Sequence, residues 1–161
     1  MNRRTILLAE DNPEEAVLTM HALDCGHLLD EVIIAGDGQE CLDYLFGAGR
    51  FAGRDIRSMP ALILLDLKMP RLGGLEVLRR VRVDKRTQHL PVVILTSSTD
   101  NNDLWESYRL GANSYIHKPI EFARYSAIMK KVGQYWLEFN IIPSDSGNRR
   151  AALSPADAQA R

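Results

Sequence analysis

Short, almost purely apolar runs punctuate the chain at regular intervals. Residues 6–9, 32–35, 61–65, 92–95 and 114–117 read as five strands. Most lack an alternation of apolar and polar positions, as parallel strands covered on both faces do. Longer amphipathic stretches separate them. The first helix is predicted to open at Asn12-Pro13-Glu14-Glu15, with a capping residue, a proline at the first helical position and acids in the first turn. Further helices are expected over residues 39–46, 75–82, 103–110 and 122–139. Strand and helix alternating in this way imply an α/β fold, a five-stranded, doubly wound parallel sheet with helices on both faces. Right-handed crossovers leave few topologies, and the order 2-1-3-4-5 is the one expected here.

Composition changes this picture little. Of 161 residues, 45% are apolar and 25% charged, enough to bury a core without metal or disulfide staples. Twenty basic residues against 21 acidic ones give a net charge of -1, so the basic excess of a general nucleic-acid binder is missing. Cys25 and Cys41 are too few and too far apart for a disulfide framework or a zinc site, and read as reduced, semi-buried small hydrophobes of a cytosolic protein. No apolar run approaches the roughly 20 residues of a membrane helix. The run after Met1 meets Glu10-Asp11 too soon for a signal peptide. A cytoplasmic protein without membrane contact is expected.

Two segments depart from the alternation. Residues 47–60, carrying Arg50, Arg54 and Arg57, are a long connection that enters strand 3 at its amino end. Ligands of such sheets sit beyond the carboxyl ends, so the insertion is expected on the opposite side from a site. Residues 1–143 are predicted to form one domain. Residues 144–161 have no sustained apolar stripe and are expected to be a disordered tail.

The candidate chemistry lies where strands end. Glu10-Asp11 follows strand 1 and Asp66 follows strand 3, and these strands are neighbours at the point where the strand order reverses. Three carboxylates converging in one crevice would repel unless a cation intervened, and oxygen ligands of this kind suit Mg²⁺. Strand 4 ends in Thr96-Ser97-Ser98, which puts hydroxyls at the rim. Strand 5 ends in Lys118-Pro119, which sets an ammonium opposite the acids. A carboxylate nucleophile, Mg²⁺, a hydroxyl and a lysine are the parts needed to accept a phosphoryl group. The bland reading of each acid alone, as a helix cap or a turn residue, weakens when all are taken together.

Glu10-Asp11, Asp66-Leu67-Lys68-Met69-Pro70, Gly73-Gly74, Thr96-Ser97 and Lys118-Pro119 together resemble a response-regulator receiver domain of two-component signalling, a CheY-like fold. The resemblance covers about residues 5–138. It implies that Asp66 is the phosphoacceptor, that Glu10 and Asp11 are metal-site acids, and that the Lys68 carbonyl completes a Mg²⁺ site with Asp66. It further implies that Lys118 contacts the phosphoryl group and that Thr96 with Tyr115 forms the conformational switch. The side chain of Lys68 departs from the family pattern at a position that can bias phosphoryl lifetime. The long connection before strand 3 and the ending Tyr135-Trp136-Leu137-Glu138-Phe139-Asn140-Ile141-Ile142-Pro143 are similar to small stand-alone regulators that partner bacterial phytochrome kinases. A sensor histidine kinase, a bacteriophytochrome in that case, is the partner this implies. The resemblance also implies a signalling protein rather than an enzyme, with no direct DNA binding and at most self-phosphorylation and self-dephosphorylation.

Two alternatives fit the residues less well. A haloacid-dehalogenase-like phosphatase would need a second acid at position 68 to protonate a leaving group, and a flavodoxin-like carrier would need hydroxyls and glycine where Glu10-Asp11 stand. The run Gly47-Ala48-Gly49-Arg50-Phe51-Ala52-Gly53 is no dinucleotide fingerprint, because it follows a helix and its third glycine comes late. His21, His27, His89 and His117 share no metal spacing, and the cluster from Arg79 to Arg86 reads as a solvated helix side.

Helix 5 carries more apolar residues than one stripe needs. Phe122, Tyr125, Met129, Val132 and Trp136 have core spacing. Ile128, Tyr135 and Phe139 form a neighbouring stripe, and Trp105 and Tyr108 stand three apart on helix 4. These five residues are expected to form a homodimer interface, unless Ile141-Ile142 folds back over them.

Overall fold

The computed structural model describes residues 4–23 and 31–143. Cys25, His27 and the tail from 144 lie outside the described residues. The elements are β1 (Thr5–Ala9), α1 (Pro13–Ala22), β2 (Glu31–Ala35), α2 (Gly38–Phe46), β3 (Leu62–Leu65), α3 (Gly74–Val83), β4 (Val92–Thr96), α4 (Asn101–Arg109), β5 (Ser114–His117) and α5 (Phe122–Gln134). All strand pairs are parallel and the order is β2-β1-β3-β4-β5, as the pattern of apolar runs predicts.

Strand periodicity divides the core into two layers. Leu7, Ile63, Leu65 and Ile94 face Cys41 and Leu45 of α2 and Val77 and Val81 of α3. Ile6, Leu8, Leu62, Leu64, Val93 and Leu95 face Ala16 of α1 and Tyr125 and Met129 of α5. Each of these strand leucines and isoleucines is shielded from water, worth about 2 kcal/mol apiece before ordering costs. Cys41 is fully buried rather than semi-buried, and burial pushes its thiol up to about 12.

Arg54 ties the insertion to the end of α2. It donates to the carbonyls of Tyr44, Leu45, Asp55 and Ser58, and its guanidinium lies 4.0 Å from the Tyr44 ring centroid. Residues 56–60 share a groove with Arg4 and Leu90, beside the amino ends of the strands, so this part of the insertion lies away from the carboxyl ends, whereas Arg50 reaches back to the Ile34 carbonyl near the carboxyl end of β2 at 2.7 Å. Arg82 is likewise no solvated side chain. It donates to Gly111, Gln88 and Leu90 carbonyls and to Asn113 Oδ1, joining α3 to the turn before β5.

The end of α5 departs from the predicted straight helix. After Gln134 the chain widens into one π turn, Tyr135–Phe139, closed by Asn140 N–H donating to the Tyr135 carbonyl at 2.9 Å. The extra residue per turn shifts the helix phase, so Leu137 becomes buried and Trp136 and Ile142 pack on the core. Two expectations upstream of this turn also change. Phe122 is exposed rather than in the core stripe, and Ile128 packs partly buried against the core instead of joining an outer stripe. Trp105 (72%), Tyr108 (51%), Tyr135 (52%) and Phe139 (61%) are exposed. Ile142 folds back onto the core without covering them, and Ile141 stays out.

Candidate functional site

Three sheet hydrogen bonds fix the site residues just beyond their strands. Glu10 N–H donates to the Ala35 carbonyl at 3.0 Å, Asp66 N–H to Ala9 at 3.1 Å, and Lys118 N–H to Thr96 at 2.8 Å. The ladder thus runs one step past β1, β3 and β5, and the three side chains meet at the carboxyl ends of neighbouring strands. Lys118 Nζ lies 2.5 Å from Glu10 Oε2, 2.8 Å from Glu15 Oε2 and 3.0 Å from Asp66 Oδ2. All three ammonium protons are therefore engaged.

Glu15 is the residue that sequence reasoning missed. Asn12 caps α1 by accepting from Glu14 and Glu15 N–H at 3.0 and 3.2 Å. Glu15 is thereby the third residue of α1, and helical side chains lean toward the amino end, here back over the crevice. Oxygens of Glu10, Glu15 and Asp66 lie within 4.8 Å of one another. Asp11 is exposed at the rim and stands apart from that group.

The charges explain the protonation behaviour. Burial pushes the Glu10 carboxyl up to about 7; its hydrogen bond from Lys118 opposes the rise and the Asp66 charge adds to it. Burial also works against the Lys118 ammonium, but hydrogen bonds to Glu10 and Glu15 and the Asp66 charge outweigh it and hold its pKa above the usual lysine range. Three carboxylates share one ammonium, an excess of anionic oxygen that suits a hard divalent cation.

The loop after Asp66 is held close. A Cβ on Gly74 would lie 2.2 Å from the Asp66 carbonyl oxygen, so only glycine lets α3 start there. Arg71 adopts φ 63° and pairs with Asp37, the cap of α2, at 2.6 Å. Lys68 N–H donates to Asp66 Oδ1 at 3.3 Å, while its side chain turns away to Asp103 on α4.

Thr96 is buried, and its Oγ1 accepts from Ser98 N–H at 3.2 Å. Tyr115 packs against the core with its hydroxyl enclosed and, among the described residues, without a hydrogen-bond partner. His117 contacts the Ser97 carbonyl through Nε2 at 3.2 Å, a structural role.

A buried carboxylate beside an ammonium, next to further carboxylate oxygens, is equipped to receive an electrophilic phosphoryl group. Comparison with known proteins agrees. The chain is 37% identical over 138 residues to the probable methanogenesis regulatory protein FilR2 of Methanothrix harundinacea, covering 86% of both. It is similar to the crystal structure of the phosphorylated cyanobacterial phytochrome response regulator RcpA, with TM-score 0.82 and 34% identity over 88% of this chain and 99% of that one. It is also similar to the Mn(2+)-bound form of response regulator Rcp1, with TM-score 0.80 and 30% identity over 88% and 99%; Rcp1 is a Synechocystis protein. Residues 6–130 match the response regulator receiver domain as a family, and this chain belongs to it.

Proposed function

We propose that Asp66 accepts a phosphoryl group from the phosphohistidine of a sensor histidine kinase in a Mg²⁺-dependent reaction. The observation that carries the reading is Lys118 Nζ at 3.0 Å from Asp66 Oδ2, with Glu10 and Glu15 on the same ammonium. An Asp66 carboxylate oxygen attacks phosphorus, a new O–P bond forms, and the N–P bond to the imidazole breaks. Glu10, Asp11, Asp66 and the Lys68 carbonyl are the groups that would hold the cation, and Glu15 adds a further oxygen beside them. When bound, Mg²⁺ supplies positive charge to the transferring oxygens. Lys118 orients and neutralises the same oxygens, and Thr96 donates its hydroxyl to one of them. Phosphorylation replaces the single carboxylate charge of Asp66 with an acyl phosphate of about -2, a net gain of roughly one negative charge, and is read through Thr96 and Tyr115.

The partners follow from the same reading. The phytochrome regulator RcpA is a structural relative, which supports a bacterial phytochrome kinase as the phosphoryl donor. Trp105, Tyr108, Tyr135 and Phe139 are exposed aromatics suited to a homodimer interface formed by α4, β5 and α5. No helix of the described residues is long and apolar enough to cross a membrane, in keeping with a role in the cytoplasm.

Incubation with acetyl phosphate and Mg²⁺, followed by intact-mass measurement, tests the assignment. Wild type gains one phosphoryl group and Asp66→Ala gains none. An equal gain in both overturns it.

A further inference from the structure

Tyr115 is the clearest unpaired polar group among the described residues: its hydroxyl is buried with no hydrogen-bond partner. Native proteins rarely leave such a group unpaired, and an orphan of this kind calls for an explanation. The polar groups beside it belong to α4 and its approach. Burial raises the hydroxyl's pKa, Asp103 adds to the rise and Ser98 works against it, so both stand close. Ser98 Oγ donates to Asp103 Oδ2 at 2.6 Å, and Lys68 Nζ lies 3.3 Å from that same oxygen.

Asp103 is a carboxylate only 6% exposed, in the first turn of α4, and Lys68 is the cation that compensates it. Lys68 itself is 70% exposed and sits two residues beyond Asp66, to which its backbone is already bonded. Its backbone is thus bonded to the crevice anion while its ammonium pairs with the anion on α4. Lys118 has its three donors committed to Glu10, Glu15 and Asp66, which leaves Lys68 as the nearby cation with a single partner. A phosphorylated Asp66 carries about two negative charges in place of one at the crevice end of that competition, against one on Asp103.

We propose that Lys68 and Asp103 form an exchangeable ion pair: phosphorylation of Asp66 draws Lys68 to the phosphoryl oxygens, and Asp103 takes the Tyr115 hydroxyl as its replacement donor. This rests on Asp66 being the phosphoacceptor. No proton is transferred; the Tyr115 O–H donates to a carboxylate that keeps its charge. Asp103 acts as a positioning residue. It ties the first turn of α4 to the β3–α3 loop in the resting protein and to β5 in the phosphorylated one. The exposed Trp105, two residues further along α4, moves with that turn.

Tyrosine labelled with ¹³C at Cζ reports the exchange, with Tyr115→Phe identifying the resonance. In wild type, adding Mg²⁺ and beryllofluoride moves the Tyr115 signal downfield, the direction of hydrogen-bond donation to a carboxylate. In resting Lys68→Gln the signal already sits at the loaded position, and Lys68→Arg restores the wild-type resting position. A resting Lys68→Gln signal coincident with resting wild type overturns the exchange. The resting comparison needs no phosphoryl mimic, so it stands apart from the acceptor assignment, whose own failure is an absent bound-fluoride resonance in wild type.

Discussion

Lys118 Nζ and Asp66 Oδ2 lie 3.0 Å apart, although 52 positions separate the residues in the chain. The contact exists because β3 and β5 flank β4 and each delivers its following residue to the same end of the sheet. Lys118 also neutralises Glu10, itself buried. Lys118→Met therefore leaves carboxylates facing one another without a cation. Removing one partner of such a buried cluster costs about 3 kcal/mol. Chemical denaturation in a chelator is expected to show that loss, and saturating Mg²⁺ to recover a good part of it.

The pH dependence of stability follows from Glu10. Its folded pKa of about 7 lies above the value of 4.5 for an unperturbed glutamate. The folded state thus holds the proton more tightly, and the associated stability is complete below pH 4.5 and lost as pH rises through 7. In metal-free protein, Glu10→Gln removes this term. Its stability relative to wild type should rise between pH 5 and 8 by on the order of 2 kcal/mol. Mg²⁺ should shrink the difference at pH 8. A difference that stays flat with pH would contradict the assignment.

Gly74→Ala tests how tightly α3 is seated under the acceptor. The added Cβ meets the Asp66 carbonyl oxygen and the Leu67 Cα, both backbone, so no side chain can yield. A loss of about 2–3 kcal/mol is expected from urea denaturation. Acceptor chemistry should fall too, because relief requires the Asp66 backbone to move.

The exposed aromatics predict self-association. Sedimentation of wild type with Mg²⁺ and beryllofluoride is expected to give a dimer at micromolar concentration. Tyr135→Glu, placing a charge among exposed rings, should weaken it roughly 30-fold, as loss of an aromatic anchor does. A wild type that stays monomeric with and without the mimic would remove this interface.

The sheet was legible because its signal is local. Five short runs give strands and order, the polar residues that follow four of them give the strand-end chemistry, and Glu10, Asp66 and Lys118 do meet. What was hidden depends on direction rather than spacing. Glu15 reads as an ordinary first-turn acid until the lean of its side chain over the crevice is seen. Arg82 reads as one of several solvated cations until four acceptors from two segments surround it. Ile128 and Phe122 exchanged roles because spacing along a helix does not reveal which flank of an apolar arc meets the sheet.

The π turn at Tyr135–Phe139 makes the chain's exit sensitive to length rather than to composition. A five-residue turn is an α-turn with one residue added, so removing a single residue here would restore α-helical phase. Everything downstream would then rotate by roughly 100° about the axis. Ile142 would swing off the core while Tyr135 and Phe139 changed bearing relative to one another. One codon in this stretch thus sets the bearing of residues 140–143 on the domain, with no change to the sheet or its acidic crevice.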